Sequence, residues 1–173
     1  MYAGIVVLEL PSLRVVEESG VVTETQFPYV PGLLSFGSRR QFWRRGRSLI
    51  LRPDVVFLDG HGLAHPRRVG IASHIGLLLN RPTIGCGKSV LVGKYEEPAP
   101  ERGSWSAMVD RGEIVGAALR TKNNVNPVFV SPGHLIDIEG SIDLALAYDG
   151  GYRVPEPTRR AHLLVNQLRK EKM

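Results

Sequence analysis

Hydrophobic positions along the chain follow more than one rhythm. Ala3–Leu10 and Leu13–Glu17 read as two strands turned at Pro11-Ser12, and Val21–Phe27 alternates as a third, which together make an antiparallel meander. The run Val55-Val56-Phe57-Leu58 is different: four consecutive apolar residues bounded by Pro53 and Gly60 suit a strand buried on both faces. Pro66 suits a helix start, and Val69, Ile71, Ala72, Ile75, Leu78 and Leu79 supply a helical stripe that Asn80–Pro82 ends. Thr83 and Ile84 then open a short strand that runs into Gly85-Cys86-Gly87-Lys88-Ser89, with Val90–Val92 closing it. Downstream, Trp105–Val109, Glu113–Arg120 and Val128–Val130 read as strands, the first two joined by a turn at Asp110-Arg111-Gly112. Asp137–Tyr148 and Glu156–Lys172 read as helices, the second entered through Pro155 and Pro157 and ending basic, as the helix dipole favours. No internal repeat, low-complexity stretch or domain boundary interrupts residues 1–173, so one α/β domain is expected.

The strand, loop, helix and strand of residues 54–89 concentrate the candidate chemistry. Asp59 is delivered at the carboxyl end of a buried strand, where open α/β sheets gather their ligands. Two parallel strands joined by a helix place its loop and the Gly85–Ser89 loop at the same sheet edge, one acidic and one basic. A lone strand-end aspartate often caps a loop, and a lone histidine beside a proline is usually structural. Asp59, His61, His65 and Lys88 spaced by glycines favour a site that binds a metal through Asp59 and phosphate through Lys88 and backbone N–H groups. The sequence Gly87-Lys88-Ser89 does not complete a nucleotide-binding P-loop, because Pro82 stands where that motif needs glycine.

Composition narrows the partners. With 43% hydrophobic residues in 173, the chain can bury a substantial core. The net charge of +5 is local: five of the 22 basic residues, Arg39, Arg40, Arg44, Arg45 and Arg47, lie in Gly37–Ser48, leaving 17 against 17 acidic residues elsewhere. That block suits contact with nucleic-acid phosphate. The single cysteine, Cys86, excludes an internal disulfide and suits a packing role in a reducing compartment. No membrane-length apolar run and no signal-peptide pattern occur, so a cytoplasmic monomer is expected.

The run DGHGLAHPRRVGIASHIGLLLNRPTIGCGKS from Asp59 to Ser89 resembles the endonuclease V family. PYVPGLLSF at Pro28–Phe36, VSPGHLIDIEGSIDLA from Val130 and YRVPEPTRRAHLL from Tyr152 agree with it in the family's order. The resemblance implies a ribonuclease H-like fold, a mixed β-sheet flanked by helices. It also implies a DNA repair endonuclease that uses Mg²⁺ or Mn²⁺ to hydrolyse the second phosphodiester bond 3′ to inosine, in DNA or RNA. By the same resemblance Asp59, Lys88 and His162 are catalytic, with Asp59 a metal ligand. Tyr29 wedges into the duplex where the modified base is turned out, a use of stacking common to such enzymes, although from composition it reads as a packed loop tyrosine. Gly32, Leu34, Gly60, Gly62 and Gly85 wall the base pocket, and His65 and His134 contact the nucleic acid. From its residues alone, His134 is as well read as a cap neighbour of the helix that follows it.

Two departures from the family accompany these matches. A further central strand carrying a metal-binding aspartate is expected ahead of Met1, and without it a groove is expected in the sheet. Ser38 stands where the family places a metal-binding glutamate, and a hydroxyl is a poor ligand for a hard cation. Codons allowed for Gly37–Leu49 can be read in a shifted frame to give an amphipathic helix headed by glutamate, as two compensating frameshifts enclosing residues 37 to about 49 would produce. Impaired catalysis is therefore expected of this chain. A module that binds inosine or branched nucleic acid without cutting it, and a decayed gene product, are the alternatives.

Overall fold

The computed structural model describes residues 2–22 and 51–171. Strands β1 (Tyr2–Glu9) and β2 (Arg14–Val22) pair antiparallel across the turn at residues 10–13. They form a two-stranded sheet, separate from a five-stranded sheet among the described residues. β2 is longer than the apolar pattern predicts: it runs through Gly20 to Val22, so Val21 and Val22 belong to the second strand and do not begin a third. The rest of the predicted Val21–Phe27 strand, Tyr29, Gly32, Leu34, Ser38 and the arginine block lie outside the described residues.

The larger sheet contains β3 (Val56–Leu58), β4 (Thr83–Gly87), β5 (Trp105–Asp110), β6 (Glu113–Leu119) and β7 (Val128–His134), in the order β3-β4-β7-β6-β5. β3 and β4 are parallel, and the remaining pairs are antiparallel. The parallel pair is joined through helix α1 (Ile71–Leu79), as its apolar stripe predicts. The helix starts five residues later than Pro66, because residues 60–70 are committed to a loop seated on the sheet. Val69, expected on the buried stripe, is exposed. Asn80 ends the helix in the left-handed region at φ 50.

All five residues of β4 are buried, which is the burial of a strand covered on both faces. Alternation then divides the core. Ile84, Leu119, Val128, Val130 and Ala117 pack beneath α2 (Ile138–Ala147), while Met108, Val115, Ala118 and Phe129 turn to the other face, under Ala64 and Tyr95. Leu58, Ile71, Ala72 and Ile75 join β3 to α1. Asp137 caps α2 by accepting from Gly140 N–H at 2.8 Å, so the helix begins at Ile138, one residue beyond the predicted start.

Two strand ends differ from expectation. Val90–Val92 is not a strand; β4 ends at Gly87 and the chain bends away at Lys88. β7 instead continues past Val130 to His134, including Pro132. Its register against β4 shifts between Thr83 and Ile84, so that Gly133 is the extra residue of a bulge beside Pro132. Proline cannot donate to a ladder, and a bulge is where a sheet tolerates it. Helix α3 (Glu156–Lys170) lies across β1, with the side chains of Val165 and Leu164 against Gly4.

Candidate active site

The parallel pairing of β3 with β4, Leu58 opposite Gly85, brings both strand ends to one edge. Asp59 follows β3 and Lys88 follows β4. Lys88 Nζ donates to Asp59 Oδ2 at 2.8 Å, with side chains 41% and 47% exposed. The acidic and basic loops predicted to share an edge therefore meet. The pair is open to solvent, so it organises the edge more than it stabilises the fold.

The loop between β3 and α1 is held by backbone contacts that only glycine permits. A Cβ at Gly62 would fall 2.0 Å from the Pro132 carbonyl oxygen, and one at Gly85 would fall 2.6 Å from Gly62 N. Gly62 N–H donates to the buried Ser131 Oγ at 2.8 Å, and Leu63 N–H to Pro132 O at 2.8 Å. The β7 bulge thus supplies the seat. The freedom of Gly62 and Gly85 is used within the protein, to press loop onto sheet.

His61 lies inside this seat, its ring against Gly87 and its Nδ1 without a hydrogen-bond partner. Burial pushes its pKa down, and a hydrogen bond to the Ser89 backbone opposes that shift. His65 is 6% exposed, and its Nδ1 accepts from Arg67 N–H at 3.2 Å. Arg68 locks the loop's far end to the β5–β6 hairpin, donating to Asp110 Oδ2 at 2.7 Å, Asp110 O at 3.0 Å and Glu113 Oε2 at 3.0 Å. Both carboxylates hold the Arg68 guanidinium in its charged form.

His162 is exposed on α3 and lines, with Asp59, a groove of about 1460 Å³ whose walls include β1, β3 and α1. Among the described residues this groove lies between the two-stranded sheet and β3 of the larger one. His134 is placed elsewhere. It pairs with Thr83, whereas Phe129 pairs with Gly87, so His134 sits at the opposite end of β4 from Lys88. At the usual strand rise that is about 16 Å from the Asp59–Lys88 edge.

A hard divalent cation needs several oxygen ligands. Among the described residues no three His, Cys, Asp or Glu side chains converge to hold one, and the Asp59 carboxylate is engaged by Lys88. The described residues do not by themselves fit a metal centre; Asp59 is the ligand they offer. Cys86 is not a nucleophile. Burial pushes its thiol up to about 12, and Asp59 adds to the shift.

Sequence reasoning overlooked Arg153. Its guanidinium donates to the carbonyls of Asn126 at 2.8 Å, Pro127 at 2.9 Å and Lys88 at 3.2 Å. Its place just ahead of the Pro155–Thr158 motif was the available signal.

A mixed sheet flanked by helices, with an acidic and a basic strand end at one edge, defines the class as an α/β domain with its candidate site at the strand ends. The family model for Endonuclease V matches residues 1–163, and the chain belongs to the endonuclease V family. Endonuclease V of Methanothrix thermoacetophila is 52% identical over 163 residues, which are 94% of this chain and 73% of that protein. The crystal structure of Endonuclease V from Streptomyces avermitilis superposes with a TM-score of 0.93 at 43% identity, covering 99% of this chain and 75% of that one. Ciona intestinalis Endonuclease V, solved in complex with a 24mer DNA containing an inosine followed by a ribo-adenosine, superposes at 0.84 and 26% identity, over 99% of this chain and 80% of that one. The fold is ribonuclease H-like, and the protein is a nuclease of a metal-dependent DNA repair family. Among the described residues no helix is long and apolar enough to cross a membrane.

Proposed function

We propose that the chain acts on inosine-containing nucleic acid, hydrolysing the second phosphodiester bond 3′ to the deaminated base. The observation that carries this reading is the Lys88–Asp59 contact at 2.8 Å, set beside a glycine loop seated on the sheet. Lys88 then neutralises charge growing on the phosphate, and Asp59 is the acidic group nearest the reacting bond. His162 faces the same groove from α3. The loop at Gly60, held on the sheet by the buried Gly62 and Gly85, forms the wall on which the turned-out base rests, completed by Gly32 and Leu34, while Tyr29 fills the gap in the duplex. His65 supports the loop from below, and His134 contacts nucleic acid away from the cleaved bond. Magnesium or manganese is the metal, both being oxygen-seeking cations. The one carboxylate that the described residues offer is by itself a poor cage for either. The chain works as a monomer in the cytoplasm.

The Asp59–Lys88 pair and the absence of a three-ligand cluster among the described residues favour a second reading, recognition of inosine without cleavage. One experiment separates the two. A labelled duplex with a single inosine is incubated with the protein in Mg²⁺, in Mn²⁺ and in EDTA, and both nicking and retardation are scored. Metal-dependent nicking at the second bond supports the endonuclease; specific retardation without nicking supports the binding module. Loss of both removes the two readings together.

A further inference from the structure

The Lys88 loop lies outside the sheet's ladder, held at Ser89 by a hydrogen bond between its backbone and His61. β4 ends at Gly87, whose partner across the sheet is Phe129, and Lys88 and Ser89 lie beyond the ladder. A lysine on a bending segment, on a flexible stem, has many orientations available. Yet Lys88 is aimed at Asp59.

We infer that Arg153 is the residue that positions Lys88, by clamping the Lys88 carbonyl to the start of β7. Its Nη2 donates to both Lys88 O and Pro127 O, and its Nε donates to Asn126 O. One planar guanidinium thus ties the loop after β4 to the segment that leads into the neighbouring strand. Among the described residues it makes no ion pair with a carboxylate; its three hydrogen bonds all go to backbone carbonyls. Lysine can copy this only in part, because its ammonium can donate to a carbonyl but lacks the rigid fork of donors.

Arg153 is itself held from behind. Its own carbonyl accepts from the buried Thr121 hydroxyl. The preceding turn is closed by Tyr152 N–H to Asp149 O at 2.9 Å and Gly151 N–H to Asp149 Oδ1 at 2.9 Å. Asp149, buried, takes Arg102 Nε at 2.7 Å. Two residues after Arg153, Pro155 is the N-cap of α3, the helix that carries His162. The clamp therefore fixes the Lys88 loop relative to the entry of the His162 helix.

This inference rests on Lys88 acting at the reacting phosphate, and its test has a readout independent of that. In protein labelled at the lysine ε-carbons, the Lys88 signal is assigned by its loss in Lys88→Met. Asp59→Asn is expected to move that signal in the wild-type background and to leave it unmoved in Arg153→Ala. An equal displacement in both backgrounds overturns the proposal.

With inosine duplex and metal, Arg153→Ala is expected to lower kcat about 10- to 100-fold, the usual effect of removing a supporting group, while KM changes less than about twofold. Arg153→Lys is expected to fall between the two. A loss of kcat matched by an equal loss of folded protein, or a lysine variant no better than alanine, overturns it. If the wild-type chain does not nick inosine duplex at all, the proposed function fails, and the resonance comparison still decides the role of Arg153.

Discussion

Lys88 Nζ lies 2.8 Å from Asp59 Oδ2 although 29 positions separate the two in sequence. The parallel pairing of β3 and β4 brings the residues to one edge, and the Arg153 clamp holds the loop that carries the ammonium. Function and stability should therefore separate cleanly at this pair.

Lys88→Met is expected to slow nicking of an inosine duplex by about 10²–10³-fold, the range for removal of one preorganised charge-stabilising donor. Its stability should change by less than about 1 kcal/mol, because an exposed ion pair contributes little. Single-turnover nicking and urea unfolding measure the two effects. Substantial unfolding with proportionate loss of activity would contradict a site role.

Gly62→Ala should destabilise the protein by about 1–3 kcal/mol, as overpacking a tight contact does. Its Cβ would meet the Pro132 carbonyl at 2.0 Å and force the loop off β7. Amide exchange should show Gly62 and Leu63, whose N–H groups bond Ser131 Oγ and Pro132 O, losing protection first.

Glu156 gives an acid-sensitive term. Its side chain, 5% exposed, accepts from Arg159 and Arg160, and the Arg159 hydrogen bonds are the main reason its pKa is lowered. A carboxylate whose pKa is depressed on folding adds stability that is present above its unfolded pKa of about 4.3 and is lost as pH falls through the lower folded value. Glu156→Gln should therefore cost about 1–3 kcal/mol at pH 7, where two guanidinium groups lose the charged acceptor and one of its two oxygens, and the difference from wild type should shrink below about pH 4. Urea titrations across that range provide the check; a difference independent of pH would refute the assignment.

Cys86 should resist alkylation in the folded protein at pH 8, since its thiol is buried with a pKa pushed up to about 12. Iodoacetamide should label it only in denaturant and leave nicking unchanged. Rapid labelling of the native protein would mean that β4 opens.

Much of the architecture follows from local chemistry. Val55–Leu58, α1's stripe and the two C-terminal helices are legible because burial on one face or both leaves a periodic trace in the residues themselves. The Glu156–Lys172 helix, predicted from its prolines and basic end, is observed as Glu156–Lys170. Misjudged boundaries have long-range causes. Pro66 looks like a helix start, but Gly62, Leu63 and Arg68 are claimed by the bulge of β7 and the β5–β6 hairpin, which delays α1 to Ile71. Pro132 looks like a strand end, but the bulge at Gly133 carries the strand on to His134.

The site divides in the same way. By itself the sequence determined that Asp59 ends the first parallel strand, because a run of apolar residues closed by glycine states where that strand stops, and that a glycine loop with Lys88 follows Thr83-Ile84. That β4 stops at Gly87 and does not resume at Val90–Val92 is a tertiary result. Only the tertiary structure decided that Asp59 and Lys88 touch, that His134 lies at the other end of β4, and that Arg153 holds the Lys88 carbonyl. Those are matters of register and of backbone carbonyls, which every residue carries alike, so no residue type announces them until the strands are paired.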